Sequence, residues 1–200
     1  MRRIAWLGLV LFAFSGCGSG DNAAAPGEST AGTTTATTSG TTTEGIDPLA
    51  DAGTDPVEGA AGGGETALLE RIAVGRHEGY DRVVFQFKNG LPGYRVEYVE
   101  PPLTEDGSGD PVTVKGNAVV VARMEPASGF DLNTGEGVMV YKGPKRIDAT
   151  SAGASAIQEL VRTGDFEAVL SWAIGLSDKV DFRVTTATSP ARLIVDFRNH

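Results

Sequence analysis

Two nine-residue stretches near opposite ends of the ordered part of the chain are built alike. Asp81-Arg82-Val83-Val84-Phe85-Gln86-Phe87-Lys88-Asn89 and Ala191-Arg192-Leu193-Ile194-Val195-Asp196-Phe197-Arg198-Asn199 share one register: Arg, three apolar residues, a polar residue, Phe, a basic residue, Asn. In the second stretch Leu193, Val195 and Phe197 fall on one face and Arg192, Ile194, Asp196 and Arg198 on the other, the period-2 pattern of a half-buried strand. A region that begins and closes on such strands needs a second layer to cover their apolar faces.

Between these stretches, short alternating runs are separated by turn residues. Residues 68–74 read as a first strand, with a turn over 75–81. Asn89-Gly90-Leu91-Pro92-Gly93 is turn chemistry, and residues 94–100 alternate again, so 82–88 and 94–100 are expected to form a hairpin. Residues 112–115 and 118–124, around Gly116-Asn117, read as another. Residues 138–141 and 145–147 are short strand candidates. Residues 155–163 fit two readings: Ile157, Leu160 and Val161 have helical spacing, but Thr163-Gly164-Asp165 looks like a turn into a strand over 166–175. The strand is the reading taken. With a further strand over 180–185, the chain is expected to be all-β, a two-sheet β-sandwich over residues 66–200.

The N-terminus reads differently. Met1-Arg2-Arg3 is basic and an apolar run of eleven residues follows from Ile4 to Phe14, too short for the roughly 20 that a spanning helix needs. Residues 1–16 therefore read as a secretory signal. Phe14-Ser15-Gly16-Cys17 resembles the lipobox of bacterial lipoproteins, with Phe14 where Leu is usual. Cys17 is the only cysteine, so no intramolecular disulfide can form in an exported, oxidising setting. Acylation of Cys17 gives this thiol a use, and two acyl chains anchor stably where one does not. The alternative is an ordinary secreted protein with a stray Cys.

From Gly18 to Gly64 the composition is Ala, Gly, Thr and Ser with no aromatic residue and no Lys or Arg. Such a segment buries too little apolar area to offset the entropy of ordering, and residues 17–65 are expected to be a disordered tether with a root-mean-square reach of roughly 35 to 40 Å. The Thr cluster over 33–43 is open between O-glycosylation and plain solubilising filler. The formal charge of −9 becomes still more negative once Arg2 and Arg3 leave with the signal. That argues against nucleic acid as a partner.

The run Gly79-Tyr80-Asp81-Arg82-Val83-Val84-Phe85, taken with Gly164-Asp165-Phe166-Glu167-Ala168-Val169-Leu170-Ser171-Trp172 and Pro190-Ala191-Arg192-Leu193-Ile194-Val195-Asp196-Phe197, resembles the AMIN-like domain of actinobacterial exported proteins and lipoproteins. That domain is similar in turn to the AMIN domain of cell-wall amidases and secretion-pore proteins. The resemblance covers nearly all of residues 68–199. It implies a sandwich of two related sheets and a noncatalytic module that, in AMIN domains, localises proteins by binding peptidoglycan. The chain is then expected at the extracytoplasmic face of the cell membrane, lipid-anchored through Cys17, with a cell-wall glycan or an envelope protein as partner, no cofactor and no enzymatic activity.

Reactive constellations are sparse. His77, Glu78, Asp196 and His200 converge only if the first and last strands are neighbours; the alternative is a solvated turn and a frayed terminus. Asp165, Glu167, Asp181 and Asp196 offer a carboxylate pair of the glycosidase kind, or surface ion pairs with Arg183, Arg192 and Arg198. The loop over 104–110 has oxygen ligands but no EF-hand spacing. The ligand-binding candidates are flat or forked amphipathic side chains: Tyr80, Arg82, Tyr94, Arg95, Trp172 and Arg192. Trp172 is open between this role and the core.

Overall fold

The computed structural model describes residues 47–135 and 137–200, which belong to one compact unit. The expected signal, Cys17 and the expected tether up to residue 46 lie outside the described residues. The strands, in order, are β1 (Val57–Gly59), β2 (Ala67–His77), β3 (Tyr80–Lys88), β4 (Gly93–Val99), β5 (Leu103–Thr104), β6 (Pro111–Val112), β7 (Ala118–Glu125), β8 (Ala127–Ser128), β9 (Phe130–Asp131), β10 (Val138–Met139), β11 (Arg146–Asp148), β12 (Ile157–Phe166), β13 (Val169–Leu176), β14 (Phe182–Thr188) and β15 (Ala191–Arg198). They form a six-stranded sheet, β1-β4-β7-β13-β12-β11, and a five-stranded sheet, β14-β15-β3-β2-β8, with β5–β6 and β9–β10 as separate pairs.

Alternation along the strands builds the core. Val83, Phe85 and Phe87 on β3 and Leu193, Val195 and Phe197 on β15 face inward, against Val96, Val120, Ala122, Met124, Leu160, Leu170, Trp172 and Ile174 from the other sheet. The two similar stretches do not sit one in each sheet. They are antiparallel neighbours, with Val83 opposite Val195 and Phe85 opposite Leu193. Residues 155–163 do contribute a strand, since β12 covers most of them.

Both hairpins expected in the first half are absent, for one reason: their inner strands have no free edge. β3 is flanked by β2 and β15, so the chain crosses at residues 89–93 to the other sheet, where β4 pairs with β1 and β7. β7 is likewise flanked, by β4 and β13. The segment before it is held away instead, with Lys115 N donating to the Glu159 carboxylate at 3.1 Å and β6 paired to β5. The turn expected at 163–165 lies further on, at Glu167 and Ala168, both with positive φ, 50° and 60°. Gly164 is used elsewhere: the ladder shifts between Arg162 and Gly164, and Asp106 lies where a Gly164 Cβ would be.

The folded unit also begins earlier than residue 66. β1 pairs with β4, Leu49 is fully buried, and Gly53 bridges to Phe182. The linker composition hid this because scattered contacts hold the segment, with Leu49 buried, Val57 packed on the core and Asp47 paired with Arg198, and not a periodic apolar face.

One polar group ties the sheets together. Asp81 shares the inward face of β3 and is fully buried. Its Oδ2 accepts from the backbone N–H groups of Ser155, Ala156 and Ile157 at 2.7, 2.7 and 3.2 Å, and its Oδ1 from Asn199 Nδ2 at 2.7 Å. It thereby joins the start of β12 and the end of the chain to β3.

Candidate functional site

The six residues picked from the sequence fall in three places. Trp172 is fully buried, edge-on to Tyr141 at 5.7 Å and tilted against Phe85 at 6.4 Å. It cannot meet a ligand, and of its two roles the core is the one it plays. Tyr80, Arg82 and Arg192 share the outer face of the five-stranded sheet. Tyr80 stacks on His77 at 4.7 Å, with the Arg82 guanidinium 5.1 Å from its ring. Arg82 in turn forms a two-bond fork to Asp196, at 2.6 and 2.9 Å. Arg183 reaches the same carboxylate at 3.0 Å, so Asp196 lies fully buried beneath two cations.

The carboxylates considered for catalysis are therefore partnered: Asp196 as above, Asp165 with Arg162 and Ser128, and Asp181 with Arg198. Asp196 is a buried pair, not the surface pair expected. Glu167 stands in the β12–β13 turn. His77, Glu78 and His200 do share a depression, but Asp196 is not part of it.

Arg95 leads to a larger feature on the outer face of the six-stranded sheet, whereas Tyr94, one residue before it, has the inward parity of Val96 and packs against the core. One residue row crosses five strands in register: Glu58 on β1 opposite Arg95 on β4, Arg95 opposite Arg123 on β7, Arg123 opposite Ser171 on β13, and Ser171 opposite Gly164 on β12. At the usual strand spacing the row is about 19 Å long. Three depressions lie along it. The first, about 530 Å³, is at Tyr94 and Glu58. A middle one, about 260 Å³, shares Arg95 and Arg123 with it. The third, about 440 Å³, shares Asp106 and Thr163 with the middle one and ends at Phe130 and Phe166. Neighbouring depressions share lining residues, and the row is called the trough below.

Local chemistry shapes each part. Tyr94 lies flat over Gly59, where any Cβ would collide with its ring. The loop over 104–110, considered for calcium, is one wall, held to the sheet by Asp106 N donating to Thr163 O at 2.8 Å. Phe166 is 58% exposed, the only aromatic among the described residues in the exposed class. It adjoins the two positive-φ residues, a locally strained turn of the kind that gathers at binding sites.

The trough's cations are all matched. Arg95 donates to Glu97 from Nε and Nη2, each at 2.7 Å, and pairs with Glu58 through Nη1. Arg123 faces Glu125 at 3.6 Å, Lys145 faces Glu105 at 3.5 Å and Arg162 faces Asp165 at 3.5 Å. Donors and acceptors thus alternate with no excess of positive charge, which suits hydroxyl- and amide-bearing ligands better than polyanions. The hydrogen bonds from Arg95 hold the Glu97 carboxyl below its ordinary value, and those from Lys88 do the same for Glu70. A carboxylate depressed on folding stabilises the fold above its unfolded pKa and loses that contribution as pH falls through the folded value. Melting temperature is therefore expected to hold down to about pH 4.5, the ordinary glutamate value, and to fall below it, modestly because these pairs are solvated. Melts across a pH series check this.

Sequence comparison then supplies the family: the AMIN-like domain matches residues 67–199. The chain belongs to the AMIN-like domain family. No curated protein and no solved structure matches it. AMIN-like domains are noncatalytic modules associated with the cell wall, in an extracytoplasmic envelope context. Among the described residues no helix is long and apolar enough to cross a membrane. Glu58, Gly59 and Ala60, which build the Tyr94 end of the trough, precede the residues matched to the AMIN-like domain. Sequence reasoning missed Arg123 and Phe166, and considered Asp106 only as part of a calcium loop. For Phe166 a signal existed in the Phe-Glu-Ala-Val run, but with the turn placed at 163–165 it read as an ordinary strand residue.

Proposed function

We propose that this chain is a lipoprotein, anchored in the cell membrane through acylated Cys17, whose noncatalytic AMIN-like domain binds peptidoglycan or another linear wall polymer along the trough of the six-stranded sheet. The row of three depressions that share lining residues, with the exposed Phe166 at one end, carries this reading. A long open groove takes a chain, whereas a closed pocket takes a small molecule. The tether accounts for reach from membrane to wall, and the balanced charges suit a glycan strand recognised by hydrogen bonds and stacking.

Co-sedimentation of residues 44–200 with isolated walls, intact and stripped of accessory polymers, tests it. Pelleting with both is expected. Phe166→Ala and Arg123→Ala are each expected to weaken it by about 1 to 2 kcal/mol, roughly tenfold. Tyr80→Ala and Arg192→Ala, on the opposite sheet, should leave it unchanged. Loss with stripped walls alone would move the ligand to the accessory polymer, and no pelleting with either would reject glycan binding. A second reading, docking of an envelope protein, draws on Leu132, Val138 and Met139, which are 67, 54 and 52% exposed around β9 and β10.

A further inference from the structure

β14, seven residues long, is the outer strand of the five-stranded sheet, and most of its free edge is bare. Two sets of bonds fix which backbone groups face outward. Phe182 exchanges bonds with Gly53 on the outer side, at 3.1 and 2.8 Å, while Arg198 N donates to Asp181 O on the inner side at 2.9 Å. Antiparallel ladders alternate in this way, so the N–H and C=O of Val184, Thr186 and Thr188 also point away from β15. No described residue bonds them.

The other edges are guarded. β1, β8 and β11 are only two or three residues long. β2, past its pairing with β8, carries Glu70, Arg71 and Arg76 and a bulge between Leu69 and Arg71, the devices that keep edges from pairing. β14 has neither. From Val184 to Thr188 it is uncharged, free of Pro and unbroken in register, and its Val and Thr side chains favour strand pairing.

We propose that β14 pairs antiparallel with β14 of a second copy of this chain, joining two five-stranded sheets into one. The open stretch is self-complementary. Centring the contact on Thr186 sets Thr186 against the partner's Thr186 and Val184 against the partner's Thr188, all groups that point outward. Pairing further along is blocked at both ends, because Gly53 already occupies Phe182 and Pro190 has no N–H to give. Arg183 then falls opposite the partner's Ser189, so no like charges meet. A closed two-fold contact is what identical edges form.

The test places single cysteines in a chain carrying Cys17→Ser, both in cells and after purification. Thr186→Cys is expected to give a covalent dimer, since directly opposed residues lie about 5.5 Å apart at Cα, within disulfide range. Ala187→Cys should not, its copies being diagonal at roughly 7 to 8 Å or more. In sedimentation, the chain without added cysteine should show a dimer fraction rising with concentration. Thr186→Pro should stay monomeric and melt as the parent does at concentrations where the parent is monomeric, because its lost N–H has no partner within one copy. A Thr186→Cys chain that remains monomeric, or cross-links only to a different envelope protein, overturns the proposal, as does a Thr186→Pro chain that sediments like the parent.

Discussion

Trp172→Ala is expected to lower the stability of the domain by about 3 to 5 kcal/mol, a large part of the roughly 5 to 15 kcal/mol that holds a typical domain folded. The indole is fully buried between Tyr141 on one side and Phe85 of the facing sheet on the other, so its removal leaves a cavity that neither sheet can collapse into. Trp172→Phe should cost much less, because the indole N–H has no hydrogen-bond partner to lose. Urea unfolding at constant slope measures both. Wall pelleting by Trp172→Phe at the parent level would separate the core role from a binding role, whereas a binding loss with stability retained would reopen the latter.

Asp81→Ala should cost about 3 kcal/mol or more, since it strands three backbone N–H groups at the start of β12 in a water-poor interior and each unsatisfied buried donor costs about 1 to 3 kcal/mol. The loss also frees Asn199, so the end of β15 and the start of β12 should exchange amide hydrogens faster than the centre of either sheet. Asp81→Asn keeps the shape and one acceptor oxygen, and is expected to lie between the parent and Asp81→Ala. Equal stability of all three by thermal melting would show that the carboxylate is not the tie between the sheets.

These two positions illustrate what could be read early. Asp81 falls on the same parity as Val83, Phe85 and Phe87, and a carboxylate on an apolar face is itself a sign of a buried, satisfied acid. Asp196 falls on the polar face, and nothing in its spacing announces that Arg82 and Arg183 would cover it. Of the candidate binding residues, Arg95 lies in the trough and Tyr94 packs inward beneath its end, while Tyr80, Arg82 and Arg192 lie on the other sheet. The trough was illegible because its row takes one residue from each of five strands, and the order of those strands depends on which edges remain free.

By itself the sequence determined the strand-rich class, the strand faces and the family, because side-chain alternation is a local property that each strand carries within itself. The lone Cys17 is likewise read directly from residue types. Tertiary structure alone decided that the two similar stretches pair side by side, that both early hairpins open, and that residues before 66 close one end of the trough. Those outcomes turn on competition for sheet edges and on contacts between residues far apart in the chain. No local period encodes them.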